Sequence, residues 1–346
     1  MSNPIIGTAI HAIGGLSASS CYIPFHRTRN WSWGSFWLIQ ALFAWILMPL
    51  MVGWLTVPRF FTVLAEAPPA ALCPAFLLGA VYGFGSMSFG MAIRHIGYSL
   101  TYTLSIGISA VLGTLMPLLI FGGWQKYFCR PGGMTVLVGM MLSVLGVALC
   151  GWAGFRKEKE ISRMEGMKTE FNMISGLILA IIGGVLSGVF NISLEYGQPI
   201  ADMAAGYGAG RFEGNAKLIV STSGCWLVNL IWFTVAGIRQ KTLGEFVPNT
   251  RLHASVILKN VMWSAMAGTL WFFQFFFYGL GHIQMGKFQF ASWVMHMSML
   301  IFFSYVIGVI RKEWKNLSRK TYILLMTALI ILIASFCIIA SGSMPG

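Results

Sequence analysis

The 346-residue chain is 57% hydrophobic and 10% charged, with a net charge of +13. A soluble domain carries about 25% charged residues, so composition excludes an ordinary water-facing surface and points to lipid as the natural solvent. The basic residues sit in short gaps between apolar runs, which explains the charge by membrane orientation and argues against a nucleic-acid partner.

A helix needs about 20 apolar residues to cross a bilayer. Stretches free of Lys, Arg, Asp and Glu predict an all-α integral membrane protein with ten transmembrane helices. They fall at 4–24, 34–57, 70–93, 97–121, 134–154, 173–194, 218–238, 260–281, 288–310 and 321–341. Every charged residue lies between these stretches or at their edges. The N-terminal Met-Ser-Asn-Pro has no basic n-region and no clear cleavage site, so the first stretch is expected to be a retained helix. The gaps after the odd-numbered spans hold 17 of the 23 lysines and arginines. Those gaps are therefore expected on the cytoplasmic side, with both termini periplasmic.

The six cysteines form no CxxC pair and no zinc spacing, and read as small buried residues. Gly79-x-x-x-Gly83 and Gly184-x-x-x-Gly188 read as close-packing faces of membrane helices. Gly206-x-Gly208-x-Gly210 follows no strand and lacks the Lys-Ser/Thr of a phosphate loop, so it reads as an external turn. No nucleotide motif, metal cluster or Gly-x-Ser-x-Gly elbow is present, which argues against an ATP-driven pump, a metal site, a bound cofactor and an enzyme.

An internal repeat runs through the chain. Met91-Ala-Ile-Arg-His-Ile-Gly-Tyr-Ser-Leu through Pro117, a linker and Gly139–Gly154 parallel Phe277-Tyr-Gly-Leu-Gly-His-Ile-Gln-Met-Gly through Gly308, a basic linker and the last span. Each is a helix end, a tight turn containing glycine, a long helix, a linker and a final helix. Ten spans divide into residues 1–154 and 173–346, five each, with the charged cytoplasmic segment 155–172 as the joint. An odd number of spans per half makes the second half enter the membrane from the opposite side. That is the inverted repeat of many secondary transporters, with a substrate site near the midplane between the halves.

The segment Ala92-Ile-Arg-His-Ile-Gly-Tyr-Ser-Leu…Leu-Met-Pro117 resembles the third-to-fourth helix junction of the drug/metabolite transporter superfamily. A closer resemblance is carried by Trp31-Ser-Trp33, Trp271-Phe-Phe-Gln-Phe-Phe-Phe-Tyr278, Gly281-His282, Ser292-Trp293, His296-Met297 and Lys312-Glu313-Trp314. Together these resemble the L-rhamnose–proton symporter family along essentially the whole chain. The resemblance implies import of L-rhamnose, or a related deoxysugar, with a proton across a bacterial inner membrane. The alternative it leaves open is transport or export of another small metabolite of the same superfamily. Outward-facing termini depart from the superfamily's usual arrangement. The partners implied are the monosaccharide, the proton and the lipid bilayer; the oligomeric state is left open.

A sugar site needs flat aromatic faces for the C–H side of the ring and planar polar groups for its hydroxyls, within a mostly apolar pocket. Trp271, Gln274 and Tyr278 are spaced by three and four and share one face of the eighth span. Gln274 is either a sugar ligand or an interhelical hydrogen-bonding group. Trp293 and His296 share a face of the ninth span. Ionisable residues within the membrane are functional candidates, and histidine titrates near physiological pH. His296, near the middle of its span, is thus a candidate for both sugar and proton, against the alternative of a neutral histidine satisfied by a neighbouring helix. His282 and Glu195, at the outer ends of the eighth and sixth spans, are further proton-coupling candidates, or ordinary helix-end groups. His11 in the first span has no surrounding motif. Asn191 and Asn229 are intramembrane amides that either line a cavity or hold helices together, and Tyr22 and Trp31 read as interfacial anchors.

Overall fold

The computed structural model describes residues 2–122, 125, 128–165, 173–248 and 253–344. The described residues form helices joined by short turns, and nine helices are long and apolar enough to cross a membrane. The helices are α1 (Pro4–Ser20), α2 (Trp33–Thr56), α3 (Pro69–Ile96), α4 (Tyr98–Ile120), α5 (Gly133–Glu165), α6 (Met173–Tyr196), α7 (Gly214–Gln240), α8 (Ala254–Gln284), α9 (Ser292–Ile310) and α10 (Arg319–Gly342). The one outside the nine is α1. Its 17 residues reach about 25 Å at 1.5 Å per residue, short of a hydrocarbon core of about 30 Å. A 3₁₀ segment at Ile23–Arg27 follows it.

Several helices outrun the charge-free stretches that predicted them. The start of α8 takes in Lys259, and α5 runs into the charged segment as far as Glu165. The extension of α5 is held by side chains. Glu160 accepts hydrogen bonds from the Ser318 backbone N–H at 2.7 Å and from the Thr321 hydroxyl at 2.6 Å. Lys157 pairs with Glu313 at 3.3 Å and lies over the Trp314 ring. The rest of the predicted joint, 166–172 with Lys168, lies outside the described residues, as do Lys126 and Arg251 of the charge pattern.

The chain forms two compact units. The first comprises Met1–Ser19, Gly85–Ile192 and Phe277–Gly346. Within it α5 and α10 pack antiparallel, with Gly139 against Ile339 and Gly146 against Leu332. The Ser143 and Ser335 hydroxyls meet midway at 2.8 Å. The α9 helix is buried over all of Ser292–Ile301. Tyr305 donates its hydroxyl to the Cys150 carbonyl at 2.7 Å and receives the Thr103 hydroxyl at 2.7 Å. Gly184 and Gly188 of α6 pack on Ser105 and Leu112 of α4. The turns before α4 and α9 each carry a left-handed glycine, Gly97 at φ 77° and Gly286 at φ 55°.

The second unit comprises Ser20–Phe84 and Ser193–Phe276. Its seam is a contact of small residues. Gly79 and Gly83 of α3 lie against the Ser221 and Cys225 carbonyls of α7, and Gly224 of α7 lies against Phe76 and Ala80. Asn229 accepts the Trp37 indole N–H at 3.0 Å and donates to the Cys225 and Gly83 carbonyls, so its role is packing. A Cβ at Gly79 would overlap the Ser221 carbonyl. Gly79→Ala is therefore expected to cost about 1–3 kcal/mol, seen as a lower melting temperature in detergent; an unchanged melting point would contradict the seam.

Two sequence readings are corrected here, and a third, the glycine-rich turn, agrees with the structure. All six cysteines are free, but Cys73, Cys129 and Cys337 are exposed and only Cys21, Cys150 and Cys225 are buried. Tyr22 and Trp31 are buried instead of anchoring at an interface: Tyr22 stacks with Trp33 and Trp37, and Trp31 meets Phe246 edge-on. The Gly206–Gly210 stretch is a turn, with Gly208 and Gly210 at φ 92° and 52°.

Candidate functional site

In the first unit α1, the end of α8 and the start of α9 bring four predicted residues, Tyr278, His282, Trp293 and His296, together with His11, which lacked a motif. The His296 ring centroid lies 5.5 Å from that of Tyr278 and 5.5 Å from that of His11. Tyr278 also lies 5.7 Å from His11, 5.6 Å from His282 and 5.4 Å from Trp293. Tyr278 is thus the hub of three imidazoles and an indole. Glycine makes this possible: the His11 ring packs onto Gly281, where a Cβ would come within 2.9 Å of it. On the other side Gly113 leaves room for the Trp293 indole, whose N–H donates to the Ser109 carbonyl at 2.9 Å. The Tyr278 hydroxyl donates to Asn191 Oδ1 at 3.2 Å, and Asn191 Nδ2 donates to the Gly113 carbonyl at 2.7 Å. Asn191 therefore orients the hub tyrosine, a role its position in the sequence did not reveal.

His11 and His296 are both 0% exposed. None of their four ring nitrogens has a hydrogen-bond partner of good geometry, although His296 also lies near the backbone of His11. Buried polar groups are normally paired, and an unpaired one costs about 1–3 kcal/mol. The two imidazoles thus lie side by side on α1 and α9, enclosed and without a partner of good geometry. His11 stood out in the sequence only as a histidine inside an apolar run. Its significance comes from a partner 285 residues away.

The second unit holds Trp271 and Gln274, both buried. Trp45 of α2 meets Trp271 edge-on at 5.3 Å, and Tyr82 of α3 stacks on it at 6.4 Å. Trp271, Gln274 and Tyr278 are all buried, as their shared face on α8 predicts. Glu195, at the end of α6, also belongs to this unit and interacts electrostatically with Lys217. Sequence reasoning passed over Gln40, Trp45 and Tyr82. Gln40 is an amide inside an apolar run, the same signal that picked out Gln274. Among the described residues no group of three or more His, Cys, Asp or Glu side chains could hold a metal ion.

Residues 1–344 match the family described as L-rhamnose-proton symport protein. The chain is 31% identical over 352 residues to an L-rhamnose-proton symporter of Pectobacterium atrosepticum, covering 99% of each chain. It is 30% identical over 345 residues to L-rhamnose-proton symporters of Yersinia pestis and Yersinia pseudotuberculosis, again over 99% of each chain. On this match over nearly its whole length, together with its apolar helices and buried histidines, the chain belongs to the L-rhamnose-proton symport protein family.

Proposed function

We propose that this protein imports L-rhamnose, or a closely related deoxysugar, by proton symport with alternating access across a bacterial inner membrane. The observation that carries the proton half is the His11–His296 pair, buried and without hydrogen-bond partners of good geometry. Among the proton-coupling candidates His296 is preferred, with His11 as its partner and His282 next through Tyr278. Glu195 ranks below them because Lys217 compensates its charge. Family membership supports the sugar half. The residues proposed to contact sugar are Trp271, Gln274, Tyr278, Trp293 and His296.

The architecture proposed is ten spans in two inverted halves, 1–154 and 173–346, with both termini periplasmic. One spacing supports the repeat. The Ser143–Ser335 and Trp37–Asn229 hydrogen bonds each join residues 192 apart. The boundaries of the compact units fall after Phe84 in α3 and after Phe276 in α8, again 192 residues apart. Each unit also takes matching elements from the two halves: α2, α7 and the first parts of α3 and α8 in one, and α4, α5, α9 and α10 in the other. An antiparallel pair of equivalent helices brings equivalent residues face to face only near a two-fold axis lying in the membrane plane, as inverted repeats require.

Uptake of labelled L-rhamnose into proteoliposomes under an inward proton gradient tests the reading. Accumulation that collapses with a protonophore is the expected result. Equilibration indifferent to the protonophore would remove the proton from the reading, and no uptake by folded protein would remove the sugar.

A further inference from the structure

The second unit contains a polar pair that no proposed role yet uses. In the middle of α2, Phe43–Leu47 forms a π-helical turn, closed by the Met48 N–H on the Phe43 carbonyl. Such turns are rare, insert one residue into a helix and recur at functional sites. Widening the helix by one residue brings positions five apart toward the same face, and Gln40 and Trp45 are five apart. Both are buried, at 3% and 2% exposure. Gln40 Oε1 and the Trp45 indole N–H are each fully enclosed without a hydrogen-bond partner.

The pair adjoins a residue already proposed to touch sugar. The Trp45 ring meets Trp271 edge-on at 5.3 Å. Gly268, one turn before Trp271, lies against the Gln40 carbonyl, Phe43 and Ala44, so α8 seats directly on the π turn. An acceptor and a donor without partners, on one helix face next to an aromatic wall, form the complement of a diol. A hydroxyl donates to Gln40 Oε1, a neighbouring hydroxyl oxygen accepts from Trp45 Nε1, and the C–H face of the ring lies on an indole. In the same unit Asn229 and Trp37 satisfy each other across the helix contact, whereas Gln40 and Trp45 do not.

We infer that Gln40 and Trp45 bind two hydroxyls of the transported sugar and set its selectivity. This rests on the monosaccharide reading above, and the test separates the two. Proton-driven uptake is measured for the parent protein, W45F and Q40M with L-rhamnose and with its single-deoxy analogues. These substitutions remove the N–H and the amide while keeping most of the side-chain volume. The parent is expected to discriminate against one or two of the deoxy sugars. Each variant should raise KM for L-rhamnose about tenfold, the effect of one lost hydrogen bond, with Vmax within about twofold. Each should also lose discrimination against one deoxy position, a different one for each variant, because a site that has lost its hydrogen-bonding group no longer penalises the missing hydroxyl. Unchanged KM and unchanged deoxy selectivity in both variants would overturn the inference while leaving the parent's transport intact. A KM rise accompanied by a lower melting temperature and unaltered deoxy selectivity would also overturn it, as a packing effect. Failure of the parent to take up any of the sugars would remove the monosaccharide reading itself, and the inference with it.

Discussion

His296→Gln is expected to abolish proton-driven accumulation of L-rhamnose while sparing the carrier's ability to exchange sugar. The magnitude follows from thermodynamics. A pH difference of one unit is worth about 1.4 kcal/mol per proton, or about a tenfold concentration ratio for one proton per sugar. With an inward gradient of about two pH units the parent should approach a ratio of about 100, and H296Q should stay near unity. Glutamine keeps a planar polar group beside Tyr278 but holds no proton. Counterflow of labelled sugar, which needs no net proton movement, should survive at a substantial fraction of the parent rate. His11→Gln should behave similarly, because its ring lies 5.5 Å from that of His296 and the ring nitrogens of both lack a hydrogen-bond partner of good geometry. Retained accumulation in both variants would place the proton elsewhere, with Glu195 next to test.

Gly113→Ala should be strongly damaging to the aromatic cluster of the first unit. The added Cβ would overlap the Trp293 indole, which has nowhere to move because α9 is buried throughout that stretch. Overpacking of this kind costs about 1–3 kcal/mol. Displacing the indole also strips its hydrogen bond to the Ser109 carbonyl and disturbs its edge-on contact with Tyr278. The Gly113 carbonyl anchors Asn191, which holds the Tyr278 hydroxyl, so the same backbone position supports the hub from both sides. Uptake should therefore fall far more than the change in melting temperature alone explains. A smaller partner separates the causes: G113A combined with W293F should recover part of the melting temperature but not the uptake. Full uptake by G113A would show that Trp293 does not work in this position.

Nine of the ten predicted spans were legible because charge is excluded from a hydrocarbon core, so charge-free stretches mark candidate spans. They do not mark helix ends. Lys259 lies inside α8, and Lys157 and Glu160 lie inside α5, because a helix continues past its charge-free stretch where charged side chains find partners such as Glu313 and Thr321. The sequence offered candidates where polarity broke an apolar run near a distinctive motif, as at Gln274 and His296, and both are buried. His11 offered no such signal because its ring neighbours are remote in the chain, and the alignment of Gln40 with Trp45 offered none because a π turn has no sequence signature. The proposed repeat is faint in sequence for a related reason. Packing of equivalent helices requires only small residues at their crossing, such as Ser143 and Ser335, and leaves the lipid-facing positions free to differ.

The most direct test of the coupling is the external pH of lightly buffered proteoliposomes when L-rhamnose is added without a preset gradient. The sugar should carry protons inward and make the medium more alkaline, and the signal should vanish in H296Q although sugar still exchanges. Entry of rhamnose with no pH change, or an undiminished signal in H296Q, would contradict a proton carried on the buried histidine pair.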